Sequence, residues 1–147
     1  MAATYHYKFT NVTNNFYYVM EYLPSYSFLR GKGNFGATHE DAIQFAYGEA
    51  VQHRKVYGLS QQEVELSRQM VKMHMNFVKY GDPSEGDATD FPRIPEWDPH
   101  TKPVLMIKCP TEKSYIATDY MHGADEFWEE TVYPKKPVDP ETLCREP

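Results

Sequence analysis

Cysteine is nearly absent from this sequence: Cys109 and Cys144 are the only two. No C-x-x-C pair and no Cys/His ligand spacing occurs, which argues against a structural zinc site. Two cysteines can close at most one disulfide, and two independent thiols is the simpler reading. Long apolar runs are also missing, so no segment is suited to span a membrane. The amino-terminal stretch MAATYHYKFT has neither a basic start nor an apolar core and does not read as a signal peptide. Positive charge is scarce. With 15 Lys and Arg against 21 Asp and Glu the formal charge is −6, which excludes a nucleic-acid binder that works by neutralising phosphates. There is no G-x-G-x-x-G, P-loop, H-E-x-x-H or EF-hand loop, so neither a cofactor nor a metal ion is expected. No internal repeat is visible.

What the chain has in quantity is aromatic residues and chain breakers. Its 147 residues include 12 Tyr, 8 Phe, 2 Trp, 11 Pro and 8 Gly. That is the composition of one domain, or part of a larger one, cut into short elements. Asn11-Val12-Thr13 forms a glycosylation sequon, relevant only if the chain enters the secretory route.

Residues 4–10 alternate Tyr5, Tyr7 and Phe9 with His6 and Lys8, the period of a strand packed on one face. The polar NVTNN after it signals a turn. Residues 15–23, NFYYVMEYL, read as a short helix or an extended loop, and Pro24 to Gly36 as loop. Thr38 is placed to cap a short helix with Glu40 and Asp41 in its first turn and Gly48 at its end. The clearest element is 60–81. Ser60 and Glu63 make an S-x-x-E capping box, Val64, Met70, Val71, His74, Phe77 and Val78 recur at helical spacing, and Gly81 followed by Asp82-Pro83 stops the helix. The proline-rich stretch 82–103 reads as an irregular segment anchored by Phe91 and Trp97. Val104–Lys108 and Tyr115–Thr118 read as strands around a turn at Pro110–Lys113. Asp125–Val132 is expected to be a last helix with Phe127 and Trp128 on its buried side, and residues 135–147 a poorly ordered tail.

The six histidines are scattered. His74 lies on a helix face, where a packed or hydrogen-bonded ring is expected. His6 is a strand residue on the less aromatic face, and His100 and His122 sit in loops without neighbouring ligands. His39 has a different setting. It follows the small residues Gly36 and Ala37 and stands immediately before acidic residues and a helix start, in the kind of loop that carries catalytic groups.

GATHEDAIQFAYG, followed by LSQQEVELSRQMVKMHMNFVKYGDP, resembles the C-terminal part of type-B carboxylesterases, the cholinesterase-like serine esterases of the α/β-hydrolase fold. The matching positions are His39, Asp41, Phe45, Tyr47, Gly48, Leu66, Ser67, Met70, Asn76, Phe77, Gly81, Asp82 and Pro83. YHYKF resembles the family strand upstream of the histidine, FPRIPEWDP and VLMIK the closing region, and DEFWEETVYP the last helix. The resemblance covers residues 4–134. It implies an α/β fold, the C-terminal portion of an α/β-hydrolase with a few strands packed by helices and an incomplete sheet. It also implies that His39 is the catalytic histidine. Two positions depart from the family pattern: Glu40 stands where glycine or alanine is common, and Ala42 where an acidic residue is frequent.

In α/β-hydrolases the triad runs nucleophile, acid, histidine along the chain, with the nucleophile in a G-x-S-x-G elbow. No such pentapeptide is present. Ser25, Ser27, Ser60, Ser67, Ser84 and Ser114 are the only serines, and none sits in an elbow. The resemblance therefore implies a C-terminal fragment or truncated form of a carboxylic ester hydrolase. Such a fragment would supply the histidine while the serine and acid, and the N-terminal part of the fold as a partner, lie outside it. A small carboxylic ester is the implied substrate class and the secretory lumen or exterior the implied location. The alternative is a cholinesterase-like interaction or adhesion protein without catalysis. Either way, the isolated chain is expected to expose sheet edges and aromatic faces that its neighbours would cover.

Overall fold

The computed structural model describes residues 14–27, 37–38, 40–108 and 110–132. The expected strand at 4–10, the sequon at Asn11, His39, both cysteines and the tail at 135–147 fall outside these residues. The elements in chain order are β1 (Tyr18–Met20), α1 (Asp41–Ala46), α2 (Glu49–Gln52), α3 (Arg54–Tyr57), α4 (Gln61–Tyr80), β2 (Pro103–Ile107), β3 (Tyr115–Thr118) and α5 (Ala124–Phe127), followed by a π-helical turn at Trp128–Val132. This is the expected mixed α/β fold with an incomplete, open sheet.

The sheet has the order β1-β2-β3. β1 runs parallel to β2, with Tyr18 opposite Leu105 and Met20 opposite Ile107. β3 runs antiparallel to β2, with Leu105 opposite Ile116. A parallel pair needs a crossover, and α1 to α4 supply it. Segment 15–23 is thus extended and contains a strand. Phe16, Tyr18, Met20 and Tyr22 turn toward the helices and pack with the core. The two-residue period is hidden in the sequence because the alternate residues Tyr17 and Val19 are apolar too, as befits a strand in a parallel sheet.

The core lies between one sheet face and the helices. Met20, Leu105 and Ile107 meet Phe45 of α1, Ala50 of α2, Leu66, Met70 and Met73 of α4, and Ile94 of the irregular segment. Trp97 anchors that segment as expected: it is buried and its N–H donates to the Asn15 carbonyl at 2.7 Å.

Helix α4 starts and stops where its local signals put it. Both halves of the Ser60–Glu63 capping box form, and Gly81 closes the helix in the left-handed region at φ 73°. Its buried face is rotated from the expected one. Glu63, Leu66, Ser67, Met70, Met73 and Asn76 are buried, whereas Val78 is 74% exposed. The rotation follows from polar residues that find distant partners. Asn76 donates to the carbonyls of Pro83 and Asp87 at 3.3 and 2.8 Å, and Gln69 accepts from the Asp90 N–H at 2.9 Å. Met70→Ala should therefore cost about 3 kcal/mol and Val78→Ala less than about 0.5 kcal/mol, read from urea unfolding of each variant.

Two further expectations need correction. Thr38 does not cap α1. The helix starts at Asp41 without a side-chain cap, because the Thr38 hydroxyl is engaged by Ser27 at 3.2 Å. Phe127 and Trp128 are not on a buried side: they are 53% and 40% exposed. The helix gives way to a π-helical turn after one turn, and the two rings pack edge-on against each other, with centroids 5.7 Å apart, rather than into the core.

Candidate active site

The turn before α1 is held from both sides. The Thr38 N–H donates to the Asp41 carboxylate at 2.6 Å, and the Asp41 N–H donates back to the Thr38 carbonyl at 3.1 Å. Asp41 is only 1% exposed and Ser27, bonded to the Thr38 hydroxyl, is fully buried. His39 itself lies outside the described residues; on either side of it Thr38 and Asp41 are joined by two hydrogen bonds, with Asp41 buried and Thr38 and Glu40 half-buried.

Helix α4 anchors the chain on either side of that turn through two polar residues one turn apart. Glu63, fully buried, accepts from the Tyr22 hydroxyl at 2.8 Å, the Ser25 N–H at 2.7 Å and the Ser25 hydroxyl at 3.0 Å, besides closing its own cap on the Ser60 N–H at 2.7 Å. Burial pushes its carboxyl up, but the backbone N–H groups of Ser25 and Ser60 and the Tyr22 hydroxyl outweigh that and hold it below its ordinary value. One turn on, the Ser67 hydroxyl donates to the Phe45 carbonyl at 2.9 Å, fixing α1. Gln44 adds a third tie, from its side-chain amide to the Tyr26 carbonyl at 2.9 Å. The segment leaving β1 and the helix following position 39 thus share one platform. The sequence identified Glu63 only as a cap. The signal for more was its place on the same face as Leu66, Ser67 and Met70.

The other candidates have local roles. His74 bonds through Nδ1 to the Met70 carbonyl at 2.7 Å and packs edge-on against Tyr18, as expected for a packed helix histidine. His53 meets Glu49 at 3.3 Å and His122 meets Asp119 at 2.6 Å. His100 sits in the Asp98 turn, its backbone N–H bonded to that carboxylate at 3.0 Å. The serine hydroxyls are likewise engaged in structure: Ser25 with Glu63, Ser27 with Thr38, Ser60 with the Glu63 N–H, Ser67 with Phe45, Ser84 with the Ile94 N–H and Ser114 with the Lys108 N–H. Among the described residues no group of three or more His, Cys, Asp or Glu could hold a metal ion. No helix among them is long and apolar enough to cross a membrane.

A parallel strand pair with helices over one sheet face is an open α/β arrangement, consistent with part of an α/β-hydrolase. The chain belongs to the carboxylesterase family, whose sequence profile matches residues 1–128. It is 29% identical over 101 residues to carboxylesterase 5A of Felis catus, a match covering 67% of this chain and 17% of that protein. Its fold is similar to that of a solved PNB esterase, with a TM-score of 0.56 at 15% identity over 76% of this chain and 20% of the esterase. The chain therefore spans about a fifth of the length of the relatives it matches.

Proposed function

We propose that the chain is the C-terminal part of a carboxylic ester hydrolase and that His39 is the general base of its serine triad. The observation that carries this reading is the order of parts in a family member. β1 runs parallel to β2, and after β1 comes the closed Thr38–Asp41 turn that brackets position 39. Open α/β sheets gather their reactive groups beyond the carboxyl ends of parallel strands. In this reading His39 takes the proton of a serine on a segment outside these residues as that serine attacks the ester carbonyl. The leaving alcohol receives the proton, and the imidazole then activates the water that releases the acid. Two observations support an external nucleophile: the missing G-x-S-x-G pentapeptide and the structural engagement of all six serine hydroxyls. Passage through the secretory route, which the family resemblance implies, would put a glycan on Asn11.

The test uses the purified chain. Alone it should not hydrolyse p-nitrophenyl acetate above the buffer rate and should gain no mass from a serine-reactive fluorophosphonate. Ester turnover that disappears in His39→Ala would overturn the reading, because it would require a nucleophile within these 147 residues.

A further inference from the structure

An apolar cavity of about 210 Å³ lies between the start of β1 and the second half of α4. Phe16 and Tyr18 reach it from the strand side, Met73, His74 and Phe77 from the helix, and Ile94 from the irregular segment. It sits at the amino-terminal end of β1, whereas the chain leaves the other end of that strand toward Ser27 and Thr38. His74 brings a hydrogen-bonding atom to this wall. Its Nδ1 lies 2.7 Å from the Met70 carbonyl. A carbonyl only accepts, so Nδ1 carries the proton and Nε2 of the neutral ring keeps a lone pair. Nε2 lies across the ring from that bond and so turns away from the helix backbone, and no described residue bonds to it. The Met70 bond and the edge-on contact with Tyr18, centroids 5.5 Å apart, hold the ring in this orientation.

We propose that this cavity binds a small uncharged aromatic alcohol, a phenol, whose ring sits among Phe16, Met73, Phe77 and Ile94 and whose hydroxyl donates to Nε2 of His74. Size, polarity and the acceptor choose the ligand class. An apolar cavity of about 150 Å³ takes one benzene, so this one holds a single substituted ring. Pockets for drug-sized molecules start near about 300 Å³, which excludes them here. A charged ligand would lose its hydration against apolar walls with no partner ion. Aromatic side chains offer a flat ring edge-on or offset contacts, and Met73 adapts to its outline. A wholly apolar ligand would cover Nε2 without supplying a donor, whereas a hydroxyl satisfies it. The site does not depend on the ester-hydrolase reading, because none of its residues belongs to the turn around position 39.

The test is an NMR titration of the full chain with phenol and, as its near-isostere without the hydroxyl, toluene. Phenol should shift the amides of Tyr18, His74, Phe77 and Ile94 saturably and bind about fivefold more tightly than toluene, the worth of one net hydrogen bond. His74→Leu should erase that preference while toluene still binds. Phe77→Trp, at the exposed rim, should fill the mouth and weaken both ligands. No saturable shift at those amides, or shifts centred elsewhere, would overturn the proposal. Equal affinity for phenol and toluene would do the same, as would a phenol preference that survives His74→Leu. The comparison of the two ligands on the unaltered chain is decisive even where a variant does not fold. Tyr5, Tyr7 and Phe9 precede the described residues, and their rings are the rival occupants. A chain that binds phenol only after Tyr5→Ser, Tyr7→Ser and Phe9→Ser would show the cavity filled from within and would also overturn the proposal.

Discussion

Glu63→Ala should destabilise the chain by about 3 kcal/mol. Four donors converge on this buried carboxylate: the Tyr22 hydroxyl, the Ser25 N–H and hydroxyl, and the Ser60 N–H. Stranding a buried donor costs about 1–3 kcal/mol. The four losses are not additive, because the groups share one acceptor and relax together. Ser60→Ala removes only the cap and should cost about 1 kcal/mol, so the difference between the two variants isolates the tie to segment 22–25. Against a typical total of about 5–15 kcal/mol, the Glu63 loss is large enough to move the urea midpoint well below that of the parent chain. The pH dependence has a definite sign. The folded carboxyl is held below its ordinary value of 4.5, so its contribution is present above that pH and is lost as pH falls through the lower folded value. Glu63→Gln should remove this acid-side loss while lowering stability at neutral pH. Urea unfolding between pH 3 and pH 7 reads both effects, and an unchanged acid limb in Glu63→Gln would contradict them.

The second large effect belongs to His39. In a chimera in which this chain replaces the matched stretch of Felis catus carboxylesterase 5A, His39→Ala should lower kcat for p-nitrophenyl acetate by about a million-fold with little change in KM. Removing a triad member abolishes proton transfer but leaves oxyanion stabilisation and binding in place. The fold should survive the change. The turn around position 39 is closed by Thr38 with Asp41 and tied to α4 through Glu63 and Ser67, none of which needs the imidazole. A loss of less than tenfold would mean that another base does the work. A matching loss of circular dichroism would mean that the histidine is structural.

Local chemistry was legible in the sequence, and long-range pairing was not. The ends of α4 could be read because Ser60, Glu63 and Gly81 act on their own neighbours. β2 and β3 could be read because two apolar runs flank a proline-led turn. The rotation of α4 could not, because it depends on Glu63, Gln69 and Asn76 finding partners at Ser25, Asp90 and Asp87, and periodicity treats all three as solvent-facing. β1 was hidden for the opposite reason: both of its faces are apolar. At the candidate site, position 39 stood out through its small-residue turn and acidic neighbours. The platform beneath it did not, since the second role of Glu63 joins residues 38 positions apart.

The most direct measurement of the central claim is a crystal structure of the chimera after reaction with a fluorophosphonate. The phosphonylated serine should come from the surrounding segment, with a ring nitrogen of His39 about 3 Å from its Oγ. A phosphonylated serine with the His39 ring packed away in the interior, or with another imidazole in its place, would contradict the account.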